Sequence, residues 1–206
     1  MSEASESLIP AIYNFRKAFL KDGDLVRPFA AAHGVGVVEG GIFDEPSPGN
    51  YNFLLPVPSD LPRLQTARRI AVFCEDRRQF AEAAEVLGLN PTSGKDAIIG
   101  IAGGAAQPEA NRFNVMAELL TNVMKHNPDS ELILGVHTGV CGGVDHFTHG
   151  KMTEINILGG RDEERHEMLG YVSDLIDQLT NNGVEPDRIR PFVAVVGPNG
   201  FEGIEE

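Results

Sequence analysis

From about residue 69 onward, short apolar runs alternate with longer amphipathic stretches, and no other feature of the chain constrains its fold as much. Residues 70–74 (IAVFC), 96–104 (DAIIGIAGG), 131–139 (ELILGVHTG) and 189–197 (IRPFVAVVG) read as strands, because they are short and rich in aliphatic and β-branched residues. Between them, residues 77–89, 108–126 and 162–182 carry apolar side chains at helical spacing, the second opened by Pro108. Parallel neighbours need a crossover, and a helix supplies one. The alternation therefore predicts an α/β fold with a mostly parallel central sheet flanked by helices.

The chain before residue 65 has a different texture. Residues 7–21 (SLIPAIYNFRKAFLK) bring Ile9, Ile12, Tyr13, Phe15, Phe19 and Leu20 near one helical face, with Pro10 in a first turn. The stretch that follows is rich in glycine and proline and reads as short extended pieces and loops. We expect residues 1–64 to form an N-terminal helix and extended arm, and residues 65–206 an α/β core, within a single domain. A chain of 206 residues is long enough for one substantial hydrophobic core.

Charge narrows the partners. A formal net charge of −13 lacks the cationic face that nucleic acid or an anionic membrane requires. No apolar run approaches the ~20 residues of a membrane helix, and the acidic, serine-rich start MSEASESLIP is unlike a secretory signal, so the expected location is cytoplasmic. The acidic runs RDEERHE (161–167) and GFEGIEE (200–206) read as solvated faces.

Chemistry concentrates at the strand ends. In open α/β sheets ligands bind beyond the carboxyl ends of the strands. Cys74 closes one strand and begins Cys-x-Asp-x-Arg (Cys74, Asp76, Arg78); Gly103 and Gly104 close the next; His137 and Cys141 follow the third. Two thiols and an imidazole form a ligand set of catalytic zinc, whose fourth position is left to water or substrate, and soft thiolates select Zn2+ over Mg2+ or Ca2+. Asp76 stands two residues from the first thiol and would reach that fourth position or a water in it. Arg78 would hold the carboxylate as a bidentate pair, making a gate and its latch.

These residues resemble the β-class carbonic anhydrases. The likeness lies in Cys-x-Asp-x-Arg at 74–78, the AGG turn at 102–104, the helix from about residue 108, and HTGVCGG at 137–143, which is similar to the family's His-x-x-Cys-Gly-Gly. Gln65, nine residues before Cys74, looks like a glutamine used near the substrate by some members. The resemblance spans about residues 65–145. It implies zinc held by Cys74, His137 and Cys141, and an enzyme that reversibly hydrates carbon dioxide to bicarbonate as a homodimer or higher even oligomer. Zinc lowers the pKa of its water toward ~7 and so supplies hydroxide at neutral pH. Asp76 would orient that hydroxide, while Gln65 and backbone amides near Gly103 and Gly104 would orient the bicarbonate.

This chain departs from the family in one spacing, with Thr138, Gly139 and Val140 standing between histidine and cysteine where the family has two residues. A glycine-containing loop can absorb an added residue by adopting φ > 0. Should it instead misdirect His137, the alternative ligands are His146 and His149 with Cys74 and Cys141, though histidines in such a loop are more often solvated. Competing functions are hydrolysis of a related heterocumulene (carbonyl sulfide or carbon disulfide), a non-catalytic zinc-stapled binding protein, and a dithiol redox protein using Cys74 and Cys141.

Overall fold

The computed structural model describes residues 3–20, 36–38, 41–43, 61–74, 76, 79–90 and 95–206. The apolar runs do form strands, and five of them make one sheet. In chain order these are β3 (Arg69–Cys74), β4 (Asp96–Ile101), β5 (Glu131–His137), β6 (Ile189–Gly197) and β7 (Gly200–Glu205), arranged β4-β3-β5-β6-β7. The first four run parallel; β7 pairs antiparallel with β6. A separate antiparallel ribbon joins β1 (Gly36–Val38) and β2 (Gly41–Phe43).

Strand β7 corrects the reading of GFEGIEE as a merely solvated face. The two-residue turn Pro198–Asn199 folds this segment back onto β6, and its acidic residues then lie on a sheet edge, where charge discourages further strand pairing.

Period-two alternation sorts the strand side chains between two hydrophobic clusters, one on each side of the sheet. Ile70, Val72 and Cys74 of β3, Ala97, Ile99 and Ile101 of β4, and Leu132, Leu134 and Val136 of β5 belong to the larger cluster. Ala71, Phe73, Ile98 and Ile133 belong to the smaller, where Phe73 and Phe192 meet edge to face at 5.1 Å between centroids. Each fully buried aliphatic side chain contributes about 1.5–3 kcal/mol, so these two faces dominate the stability of the fold.

Helices cover both faces. Helix α1 (Glu3–Leu20) adds Leu8, Ala11, Ile12, Phe15 and Phe19 to the larger cluster, a stripe at helical spacing that packs on α4 (Ala110–His126). It begins earlier than the sequence pattern suggested, which places Pro10 inside the helix rather than in its first turn, and Tyr13 is exposed. The short α2 (Leu61–Thr66) leads into β3, and α3 (Phe80–Val86) bridges β3 to β4, with Ala83 and Ala84 in the smaller cluster. Helix α4 links β4 to β5; its first amides, Asn111 N and Arg112 N, donate to the Glu109 carboxylate.

Helix α5 (Gly142–Phe147) and α6 (Lys151–Asn181) connect β5 to β6. The pattern had suggested one helix over 162–182; helical backbone in fact starts at Lys151 and breaks at Gly160 (φ 74°, ψ −166°). From β3 the chain crosses to one side for β4 and to the other for β5. Strand connections that diverge in this way open a crevice at the carboxyl ends, and this one opens between Cys74 and His137.

Candidate metal centre

Cys74 ends β3, and the alternation that buries Ile70 and Val72 turns its side chain into the same cluster. Past it the backbone is braced by Gln79, whose amide Nε2 donates to the Cys74 carbonyl at 2.9 Å and whose own N–H donates to the Asp76 carbonyl at 3.3 Å. This brace keeps the charged residue next to the thiol from swinging into solvent: Asp76 is only 7% exposed.

Two glycines allow the strand ends to approach one another. Gly104 has φ +58°, and a Cβ there would stand 2.4 Å from the Gly135 carbonyl oxygen and 2.6 Å from the Cys74 nitrogen. Both obstacles are backbone, so neither can yield. Gly143, at the start of α5, would meet Gly103 N at 2.5 Å. The AGG turn after β4 is therefore wedged between the end of β3 and the helix that follows Cys141.

The loop between β5 and α5 passes through two successive left-handed residues, Gly139 (φ 83°) and Val140 (φ 58°). Left-handed backbone suits glycine, but for a β-branched residue it is a genuine outlier that costs about 1–3 kcal/mol. The carboxylate of Glu164 on α6 holds this conformation, accepting from Gly139 N at 2.9 Å (Oε2) and from Val140 N at 2.6 Å (Oε1). Glu164 is fully buried.

The loop brings three donor atoms together. One from each of Cys74, His137 and Cys141 lie within 4.8 Å of one another, all buried, and the two sulfurs are 3.6 Å apart. Thiolates ~2.3 Å from a tetrahedral zinc stand ~3.8 Å apart, so the pair already has the separation that a shared metal imposes. His137 Nδ1 donates to the Thr138 carbonyl at 2.8 Å, so in the neutral ring it is Nδ1 that carries the proton. Among the described residues Nε2 is buried without a hydrogen-bond partner, in position to serve as a ligand. The donor set thus fits zinc. The nearest Asp76 oxygen lies 3.6 Å from Nε2, on the rim of the group.

The electrostatics agree with this geometry. Burial alone would drive the His137 pKa down, but the Cys141 sulfur, the Asp76 carboxylate and the Thr138 carbonyl outweigh it and raise the value to about 9. The hydrogen bond from Cys74 holds the Cys141 thiol well below its ordinary value against the opposing effect of burial, with help from the His137 charge. Both shifts favour positive charge on the imidazole beside negative charge on the sulfur, and a divalent cation would take the place of the proton.

Other residues singled out in the sequence fall as follows. Gly103 and Gly104 flank the centre, but the Gly104 N–H donates to the Ile101 carbonyl at 2.9 Å and is committed there. Gln65 sits on α2, ahead of β3, beside His126, Asn127 and Ser130 that precede β5; within one chain it is at the opposite end of the sheet from Cys74. His146 and His149 are exposed and do not join the cluster, so the alternative ligand set is not formed. Arg78 lies outside the described residues.

The residue missed from sequence is Glu164, which had been read as part of the solvated run 161–167. A signal was present. The buried positions of α6 include Met168, Val172, Leu175 and Leu179, and stepping back four residues along that stripe reaches Glu164. Gln79 gave no such signal.

Among the described residues, no helix is long and apolar enough to cross a membrane. No family model matches the sequence, and no curated protein matches it. Among solved structures, the crystal structure of beta-carbonic anhydrase isoform I from the protozoan Trichomonas vaginalis is similar, with a TM-score of 0.37 and 14% identity over 89% of this chain and 93% of that one.

Proposed function

We propose that the chain is a zinc-dependent lyase of carbonic anhydrase type, which reversibly hydrates carbon dioxide to bicarbonate. The observation that carries this reading is the buried Cys74–His137–Cys141 group, with His137 Nε2 free of any hydrogen bond among the described residues. Among the described residues three protein donors converge, the number a catalytic zinc site uses. Zinc, once bound, supplies the Lewis acidity that makes water a competent nucleophile near neutral pH.

The chain's own residues do the rest. Cys74 and Cys141 hold the metal as thiolates, and the Thr138 carbonyl keeps the His137 ring turned toward them. Asp76, beside Nε2, accepts a hydrogen bond from the attacking water and directs its lone pair at the substrate carbon. Ile101 and Val144 share a cluster with both cysteines, an apolar surrounding that suits a small uncharged substrate better than bulk water does. The same reading carries the expectation of a homodimer or larger even oligomer, which sedimentation of the zinc-loaded protein checks.

The test is metal analysis and stopped-flow carbon dioxide hydration on one sample. We expect about one zinc per chain and hydration well above buffer. Stoichiometric zinc with no hydration even at alkaline pH refutes the assignment; turnover of carbonyl sulfide or carbon disulfide by that sample would then identify a heterocumulene hydrolase.

A further inference from the structure

We propose that Glu164 is a positioning residue of the metal centre: its carboxylate clamps the left-handed Gly139–Val140 turn and thereby sets the placement of His137 against Cys141. The proposal rests on the functional reading above. Its geometry is independent of any metal.

Three observations converge on it. First, a fully buried carboxylate on an otherwise apolar helix stripe needs a reason to be there, since an uncompensated charge is costly to bury. Second, its two oxygens divide between two successive backbone amides, Gly139 N and Val140 N, in the three-residue connection that joins two of the three donors. Third, the carboxylate is itself held in place. Asn156 Nδ2 donates to Glu164 Oε2 at 2.8 Å across eight residues of α6.

In a straight helix, positions eight apart are ~12 Å distant along the axis. The break at Gly160 is what folds Asn156 back onto Glu164. Kink, carboxylate and left-handed turn are thus successive parts of one support. A chain with one residue fewer between histidine and cysteine would have no Val140 to hold in this conformation.

The substitution Glu164→Gln tests the clamp, because a carboxamide presents only one acceptor and must turn its NH2 toward one of the two backbone donors. Zinc affinity by competition with a chromogenic chelator should fall roughly 10–100-fold, the range for losing an outer partner of a metal ligand. With cobalt as probe, the ligand-field and thiolate charge-transfer bands should shift, a signature that a general loss of stability does not produce. Glycine adopts the left-handed turn without help, so Val140→Gly in the Glu164→Gln background should recover affinity and spectrum toward the parent.

Unchanged zinc affinity and cobalt spectrum in Glu164→Gln overturn the proposal, as does a double variant that is no better than the single. If Glu164→Gln does not fold, the double variant decides: recovery of folding and metal binding supports the clamp, and failure of both overturns it. A parent chain that takes up neither zinc nor cobalt refutes the functional reading itself, and the clamp with it. A parent that binds alongside an equally competent Glu164→Gln refutes the clamp alone.

Discussion

Gly104→Ala separates two costs that the structure assigns to a single methyl group. The first is conformational: at φ +58° an L-residue pays about 1–2 kcal/mol for left-handed backbone. The second is steric. The new Cβ would sit 2.4 Å from the Gly135 carbonyl oxygen and 2.6 Å from the Cys74 nitrogen, atoms fixed in two neighbouring strands, and overpacking of this kind costs about 1–3 kcal/mol. Together they remove roughly 2–5 kcal/mol of the about 5–15 kcal/mol that a domain of this size has in hand. Gly183→Ala is the matched control, since Gly183 has φ +90° with nothing within 4 Å of its would-be Cβ and should show only the first cost. Urea denaturation reads the difference. With a slope of about 2 kcal/mol per molar, Gly104→Ala moves the midpoint down by roughly 1–2.5 M, and the control by about half that or less. Because the displaced atom is the Cys74 amide, Gly104→Ala should also weaken zinc binding, whereas the control should not. Equal destabilisation by the two variants, with zinc binding intact in both, would refute the claim that close packing of the AGG turn builds the metal centre.

Replacing either thiol, as Cys74→Ser or Cys141→Ser, removes a donor from a three-donor set, and metal analysis after dialysis should find the stoichiometric zinc gone. Asp76→Asn keeps the shape but loses the charge and one of the two acceptor oxygens, so zinc content should stay near one per chain while kcat for hydration falls about 10²–10⁴-fold in stopped-flow. Zinc affinity should rise with pH: below about 9 the His137 imidazole carries a proton that must leave before metal binds, and the Cys74 thiol that donates to Cys141 must lose its own, so chelator competition should show affinity rising at least tenfold per pH unit between 7 and 9. A pH-independent affinity between 7 and 9 would contradict a raised His137 pKa.

Much of this arrangement was legible in the order of residues alone. Strand and helix periods, 2 and 3.6, are local properties, and they marked β3, β4, β5 and β6 to within a few residues; the last was matched residue for residue at 189–197. Cys74 and His137 were identifiable because each is the final residue of a strand whose apolar run carries its own signal. The carboxyl-end rule then places them at one edge. Less was legible where pairing takes place over distance. Nothing local in GFEGIEE announces a strand; it becomes one because the turn at Pro198–Asn199 delivers it to the free edge of β6.

Gln65 shows the same limit from the other side. Its likeness to a glutamine used near the substrate suggested a place beside the centre, but six of the nine residues from it to Cys74 are extended strand, which within one chain carries the two apart at ~3.3 Å per step. By itself, then, the sequence determined most of the core's elements, the sheet class and three candidate donors, because periodicity and strand-end chemistry are written within a few residues of each other. Only the tertiary structure decided whether those donors converge, because that depended on a buried carboxylate 24 residues beyond Val140, on a helix kinked at Gly160, and on a backbone contact at Gly104 that no side-chain pattern records.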